Sequence, residues 1–133
     1  MADLSAHSVR DHMTRNLLTF TPDTDVMSAI GALVKSGHSG APVCEEGGRL
    51  VGMLSEKDCL KVAVVASYEG VSPGAVRDFM TASVRCLSPD DTLLEVANRF
   101  LDSPYKRFPV VEGGRLVGQI SRRDVLKAIH DDA

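Results

Sequence analysis

The sequence contains few cysteines, and their spacing does not match the common metal-binding patterns. Only three occur among 133 residues, at positions 44, 59 and 86, and none forms a Cys-x-x-Cys pair. An odd number of scattered cysteines is typical of free thiols in a reducing compartment rather than of a disulfide framework. The four histidines do not join them in a zinc-ligand spacing. We therefore expect a cytoplasmic protein without a metal site.

Other absences narrow the possible functions. No apolar run is long enough to cross a bilayer, and the first residues lack the basic and apolar regions of a signal peptide. The net charge of −3 offers no basic excess for nucleic acid. No Walker loop, Ser-His-Asp arrangement or Cys-His arrangement is recognisable. We expect no membrane partner, no nucleic-acid partner and no enzymatic activity.

What the sequence does contain is an internal repeat. Residues 113–124 are identical to residues 47–58 at eight of twelve positions, and both begin Gly-Gly-Arg-Leu-Val-Gly. A second repeat pairs Val-Arg-Asp-His-Met-Thr at 9–14 with Val-Arg-Asp-Phe-Met-Thr at 76–81, which we call the leading segments. Such repeats indicate two copies of one structural unit. A glycine-containing linker at 70–74 suggests domains at residues 1–69 and 70–133.

Each copy has the same order of predicted elements. A helical leading segment is followed by a strand, an amphipathic helix, two strands joined by a Gly-Gly hairpin, and a final helix. This mixed order indicates a small α/β layer, of the α+β kind, rather than a doubly wound sheet. The predicted ranges in the two copies are 17–20 and 84–87 for the first strands, 26–34 and 93–101 for the amphipathic helices, 40–44 and 107–111 for the second strands, and 56–66 and 122–129 for the final helices.

The repeated segment places polar groups at the start of each final helix. Ser55 and Ser121 are N-cap candidates, and Asp58 and Asp124 follow in the first helical turn. Ser-x-x-Asp stabilises a helix start by itself as a capping box. A carboxylate can also accept hydrogen bonds from two hydroxyl groups of a ligand. The residues alone leave both interpretations open.

Two glycines lie within the strands that precede these helices. A glycine inside a strand often marks the close approach of another backbone or of a ligand. We expect Gly52 and Gly118 to clear space for a ligand beside the helix start.

These motifs together resemble the cystathionine-β-synthase (CBS) domain. The resemblance rests on Val-Arg-Asp-x-Met-Thr, an apolar-Pro-Val strand and Gly-x-x-Ser-x-x-Asp, in that order in both copies, and it covers residues 9–129. It implies a stand-alone Bateman module of two CBS domains packed with pseudo-twofold symmetry. Such a module binds AMP, ADP, ATP or S-adenosylmethionine between its domains, modulates a partner protein, and commonly forms a homodimer. No obligatory cofactor is implied.

The resemblance also assigns candidate ligand-binding residues. It matches Asp58 and Asp124 to the ribose-binding aspartate of the family. It places Lys106 and Arg107 near the ligand phosphate, whereas the first copy has His38 there and no fixed cation. We therefore expect the second-copy pocket to favour a phosphorylated nucleotide. The candidate residues are Thr14, His38, Ala41, Pro42, Gly52, Ser55 and Asp58 in the first copy, and Thr81, Tyr105, Lys106, Arg107, Phe108, Pro109, Gly118, Ser121 and Asp124 in the second.

Two other functions remain open from the sequence. A ligand-free dimeric scaffold or interaction protein would use Asp58 and Asp124 only as helix caps. A thiol redox sensor or enzyme would use the three cysteines, but their positions suggest strand or helix interiors, where cysteine is usually inert. We rank the nucleotide-binding regulatory module first, the scaffold second and the redox sensor third.

Overall fold

The computed structural model describes residues 3–69 and 73–131. It has a mixed α+β fold, which confirms the predicted class. Residues 70–72 of the predicted linker, including the expected helix start at Ser72, lie outside the described residues. The helices are α1 (Val26–Ser36), α2 (Glu56–Glu69), α3 (Leu93–Leu101) and α4 (Arg122–Asp131), and the strands are β1 (Gly40–Cys44), β2 (Leu50–Ser55), β3 (Arg107–Glu112) and β4 (Arg115–Ser121).

The compact units of the structure differ from the two sequence copies. Residues 18–84 form one unit, which we call the continuous unit. Residues 1–17 and 85–133 form the other, the discontinuous unit. The predicted division after residue 69 follows the repeat, whereas the units divide after residues 17 and 84. The physical reason is that each leading segment pairs with strands from the other sequence copy.

In the continuous unit, β1 and β2 form an antiparallel hairpin with Gly40 opposite Ser55. The second leading segment adds one antiparallel bridge on the β2 side, between Thr81 and Met53. Each of these two residues donates its N–H to the other's carbonyl oxygen, at 2.9 Å in both directions. The core below contains Leu33, Val43, Leu54 and Val76, together with Phe20 and Ala29.

The discontinuous unit repeats this arrangement with β3 and β4. Thr14 of the first leading segment pairs with Gln119 of β4 through hydrogen bonds of 2.8 and 2.9 Å. Val9 and Met13 of the same segment are buried in a core with Leu93 and Ile120. Each leading segment contains a single 3₁₀ turn, Val9–Asp11 or Val76–Asp78, which is less helix than the sequence predicted.

The two first strands predicted at 17–20 and 84–87 are wrong, because each forms only a one-residue parallel bridge. Phe20 donates to the Pro42 carbonyl and accepts from the Cys44 N–H, at 3.0 and 2.8 Å. Extending the pairing would require N–H groups from Pro42 on one side and Pro22 on the other, and proline has none. Leu87 bridges Val110 in the same way, with Pro89 and Pro109 in the equivalent positions.

The amphipathic helices are confirmed, although their apolar stripes are only partly buried. Val26, Ala29 and Leu33 of α1 are in the core, and so are three residues of α3. Val34 and Leu101, which end the predicted stripes, are instead 77% and 83% exposed. Periodicity places these side chains at the edge of the apolar face, and nothing in the described units covers them. Among residues 3–69 and 73–131, no helix is long and apolar enough to cross a bilayer.

Candidate functional site

The predicted site residues separate into two sets, one in each unit. Thr14 belongs to the first sequence copy but lies in the discontinuous unit, and Thr81 belongs to the second copy but lies in the continuous unit. The reason is that each leading segment pairs with a strand of the other copy. Thr81 bonds to Met53 beside Gly52, and Thr14 bonds to Gln119 beside Gly118. The continuous unit contains His38, Ala41, Pro42, Gly52, Ser55, Asp58 and Thr81, and the discontinuous unit contains Thr14, Tyr105, Lys106, Arg107, Phe108, Pro109, Gly118, Ser121 and Asp124.

Both aspartates form capping boxes at the starts of α2 and α4. The Asp58 N–H donates to Ser55 Oγ at 3.2 Å, and Asp58 Oδ2 accepts from the Ser55 N–H and hydroxyl, both at 2.9 Å. Asp124 Oδ2 accepts from the Ser121 N–H at 2.8 Å, and its own N–H donates to Ser121 Oγ at 3.1 Å. The helix-stabilising role of Ser-x-x-Asp is therefore present in both units.

The surroundings of the second carboxylate oxygen, Oδ1, differ between the two aspartates. Asp58 is only 4% exposed, and its Oδ1 lies 3.8 Å from Lys61 Nζ. Asp124 is half-buried, and within the described residues its Oδ1 accepts no hydrogen bond. A carboxylate can cap a helix with one oxygen and still accept hydrogen bonds from a ligand with the other. Asp124 is the better placed of the two for that second role.

Gly52 and Gly118, which we expected to clear space for a ligand, lie against the leading segments, and their role in ligand binding remains a prediction. A Cβ on Gly118 would lie 2.6 Å from Met13 Sδ and 3.0 Å from the Thr14 carbonyl oxygen. A Cβ on Gly52 would lie 2.8 Å from Met80 Sδ and 2.9 Å from the Thr81 carbonyl oxygen. The leading segments occupy the space that each glycine leaves, so backbone pairing explains both residues.

Four of the candidate ligand-binding residues, Ala41, Pro42, Phe108 and Pro109, are core residues. Ala41 and Phe108 are 1% and 2% exposed, and the adjacent prolines are also buried. The Phe108 ring packs against Phe100 and Tyr105, with centroid separations of 4.8 and 5.8 Å. Their packing role is visible in the structure, whereas their role in binding remains a prediction.

The two units differ in charge beside the capping box. In the discontinuous unit, Arg107 lies opposite Ser121 at the start of β3. The Arg107 Nε is buried and has no hydrogen-bond partner among the described residues. In the continuous unit the corresponding position is Gly40, where a Cβ would lie 2.9 Å from the Leu54 carbonyl oxygen. The discontinuous unit therefore has an arginine next to its capping box, whereas the continuous unit has a glycine, which has no side chain, at the same position.

The continuous unit has an apolar groove between α1 and α2. Its volume is about 380 Å³, which falls at the small end of the range for ligand pockets. His38 and Glu56, the first residue of α2, both line it. The groove is lined by Ile30, Leu33, Val34, Gly37, His38, Glu56, Cys59 and Leu60.

The thiols are not activated. Burial raises the pKa of Cys44, and burial together with the negative charges of Asp58 and Glu56 raises the pKa of Cys59. A raised pKa lowers the thiolate fraction and so the nucleophilicity at neutral pH. Within the described part of the chain, no three histidine, cysteine, aspartate or glutamate side chains form a group that could hold a metal ion.

Sequence reasoning missed the structural role of Arg122. Arg122 is not among the predicted site residues, but its Nε donates to the Tyr105 carbonyl at 3.0 Å. Its Nη2 donates to the Ser103 carbonyl at 3.4 Å. The sequence signal was the difference between the two copies, which have Arg122 and Glu56 at the same position.

Comparison with known proteins identifies similar chains. The model of the CBS-domain family matches this chain twice, at residues 9–65 and 76–131. The uncharacterized protein MJ1225 of Methanocaldococcus jannaschii is 28% identical over 124 residues, a match that covers 93% of this chain and 43% of that protein. This chain thus spans less than half of that relative.

Solved structures share the fold over nearly the whole chain. Arabidopsis thaliana CBSX2, in a complex with AMP, has 30% identity and a TM-score of 0.84, covering 95% of this chain and 98% of that one. The CBS domain pair of protein MJ0100, in a complex with 5-methylthioadenosine and S-adenosyl-L-methionine, has 23% identity and a TM-score of 0.75, with 95% and 98% covered. At that identity the second likeness supports the fold alone.

Proposed function

The chain belongs to the CBS-domain family, and from that premise we propose that it is a regulatory module that binds an adenosine-containing ligand and modulates a partner protein. The observation that carries this proposal is that Arg107 lies opposite Ser121, the residue that Asp124 caps. Asp124 keeps one carboxylate oxygen without a partner among the described residues, and Arg107 has a buried Nε donor in the same condition. Buried polar groups are usually hydrogen-bonded, so the Arg107 Nε is a candidate for a contact with a ligand, and the free Asp124 oxygen can accept a hydrogen bond from one.

The ligand class follows from the chemistry of this pair. A carboxylate oxygen can accept from the hydroxyl groups of a ribose, and a guanidinium suits phosphate oxygens. AMP, ADP, ATP and S-adenosylmethionine remain the candidates, and the AMP complex of CBSX2 supports the nucleotide. We propose that the discontinuous unit contributes most of the phosphate recognition, because the continuous unit has Gly40 where the other has Arg107.

The proposal extends to assembly and location. Large apolar side chains are exposed on both helices of each unit, with Val34 and Leu60 at 77% and 68%, and Leu101 and Leu126 at 83% and 64%. Covering such residues favours association of two copies, and we propose a homodimer through these helices. We further propose a cytoplasmic protein with no catalytic residue and no obligatory cofactor, consistent with thiols of raised pKa.

Calorimetric titration with AMP, ADP, ATP, adenosine and S-adenosylmethionine tests the ligand. Asp124→Ala should weaken binding at least about tenfold, because a charge-assisted contact contributes about 1.5–3 kcal/mol. The matched control is Asp91→Ala in the same unit. Asp91 also accepts from the N–H of a serine three residues earlier, Ser88, at 2.9 Å, but it is no site candidate. Equal affinities of both variants and the wild type would refute the assignment.

The second candidate function is a ligand-free dimeric scaffold. The capping boxes favour it, because they account for both aspartates without a ligand. In that case, none of the five compounds would raise the melting temperature, although Asp124→Ala would lower it. A ligand that binds the folded state at a hundred times its dissociation constant should instead add about 2.7 kcal/mol of stability.

A further inference from the structure

The two units end their first helices differently. In the continuous unit, Gly37 adopts a left-handed conformation with φ of 74° and donates its N–H to the Leu33 carbonyl at 3.0 Å. The equivalent residue in the other copy is Pro104. Proline has no N–H and its φ is fixed near −65°, so it cannot form this cap.

The connection to the next strand changes as a consequence. Helix α1 ends at Ser36, which leaves three residues before β1, whereas α3 ends at Leu101 and leaves five before β3. In the continuous unit the glycine cap holds the shorter connection. The longer connection, residues 102–106, needs another means of support.

Arg122 supplies that support from the start of α4. Its side chain donates to the carbonyls of Tyr105 and Ser103, and its backbone N–H donates to the Lys106 carbonyl at 3.0 Å. The continuous unit keeps only the backbone bond, from Glu56 to Ser39 at 2.9 Å. A glutamate carboxylate has no proton to donate to carbonyls. Thus the continuous unit combines a glycine cap at Gly37 with Glu56 at the start of α2. The discontinuous unit combines Pro104, which cannot form that cap, with Arg122 at the start of α4.

The connection that Arg122 holds leads directly into the charged residues of the candidate site. Lys106 is its last residue and Arg107 begins β3. Two buried polar atoms have no partner among the described residues, Ser103 Oγ within the connection and Arg107 Nε directly after it. We propose that Arg122 is a positioning residue, which fixes connection 102–106 so that Arg107 meets the phosphate group of an adenine nucleotide. This inference rests on the proposed function.

The test compares Arg122→Gln with Arg123→Gln. Both variants lose one positive charge at adjacent positions, but in the described part of the chain Arg123 makes no hydrogen bond to connection 102–106. Dissociation constants for AMP and adenosine are measured for each protein, and their ratio isolates the phosphate contribution. We expect Arg122→Gln to reduce the preference for AMP about tenfold while adenosine affinity stays within about twofold. Arg123→Gln should keep the wild-type ratio.

A merely structural role would weaken adenosine and AMP equally, so an unchanged ratio in Arg122→Gln overturns the inference. Arg122→Lys keeps the charge but loses the two-pronged donor geometry, and it should also lose preference for AMP. Hydrogen exchange provides a ligand-independent check on the amides of Asp102 and Ser103, which donate to the Asn98 and Phe100 carbonyls at 3.1 and 3.5 Å. These amides should exchange faster in Arg122→Gln and not in Arg123→Gln. Unchanged exchange overturns the inference as well. If the wild type binds neither compound, the proposed function itself fails, and this inference fails with it.

Discussion

Replacing Gly118 by alanine tests how tightly the first leading segment packs against β4. The added Cβ would lie 2.6 Å from Met13 Sδ, 2.9 Å from Met13 Cγ and 3.0 Å from the Thr14 carbonyl oxygen. The Met13 side chain can move, but the Thr14 carbonyl accepts the Gln119 N–H at 2.9 Å and is held in place. Gly118 does not have a positive φ, so the alanine suffers only from contact.

The expected loss follows from two opposing effects. Overpacking in a filled core costs about 1–3 kcal/mol. Replacing glycine by alanine also restricts the unfolded chain, which returns about 0.4–1 kcal/mol. The net loss therefore lies between about 0 and 2.6 kcal/mol, with a central value of about 1.3 kcal/mol. With an unfolding entropy of about 2.1 cal/mol/K per residue and 133 residues, the central value lowers the melting temperature by about 5 °C.

The assay is thermal unfolding followed by circular dichroism, with Gly31→Ala as the matched control. Gly31 lies in α1, where an added Cβ would meet no atom within 4 Å. Alanine there should raise stability by about 0.5–1 kcal/mol, because glycine weakens a helix interior. In a Met13→Ala background, Gly118→Ala should cost less than it does alone. A Gly118→Ala protein that melts at or above the wild-type temperature would refute the close packing.

Two further predictions concern the backbone cap and the thiols. Gly37→Ala should destabilise the protein by about 1–2 kcal/mol, the cost of a left-handed alanine, and chemical denaturation that shows no loss would contradict the cap. Burial raises the pKa of the Cys44 and Cys59 thiols above the usual value for cysteine. The contribution of the neutral thiols to the free energy of unfolding should therefore be complete below the unfolded-state pKa and lost as the pH rises through the folded-state pKa. Iodoacetamide should therefore alkylate the native protein more slowly than the urea-unfolded protein at pH 8, and equal rates would speak against buried thiols.

The repeat allowed most of the fold to be predicted from the sequence. Apolar residues at helical spacing identified α1 and α3, and the Gly-Gly turns identified both hairpins, whose four glycines have positive φ. The capping boxes were also predicted from Ser-x-x-Asp, because their partners are only three residues apart. Patterns of this kind can be predicted because the interacting residues are close together in the sequence.

The pairing of the leading segments could not be predicted in the same way. Their two sequences differ at one position of six, His12 in the first and Phe79 in the second. Such similar segments fit either sheet, so nothing local decides which hairpin each one joins. The reason for Gly118 was missed with them, because it depends on Met13, which lies more than a hundred residues earlier in the chain.

The sequence already contained the reason why residues 17–20 and 84–87 do not form full strands. Pro22 and Pro42 remove the donors on both sides of the Phe20 bridge, and Pro89 and Pro109 stand in the same places around Leu87. Arg122 is a different case. Its exchange for Glu56 was visible, but the carbonyls that it bonds become neighbours only once the chain has folded.

The discontinuous unit has a consequence for synthesis on the ribosome. The continuous unit has all of its residues once residue 84 has emerged, so it can fold while translation continues. The first seventeen residues emerge earliest, yet their sheet arrives last, with β4 ending at Ser121. In the interval Val9 and Met13 have no native core to enter. A nascent chain whose first 90 or so residues have emerged from the ribosome should therefore hold a protease-resistant middle and a protease-sensitive beginning.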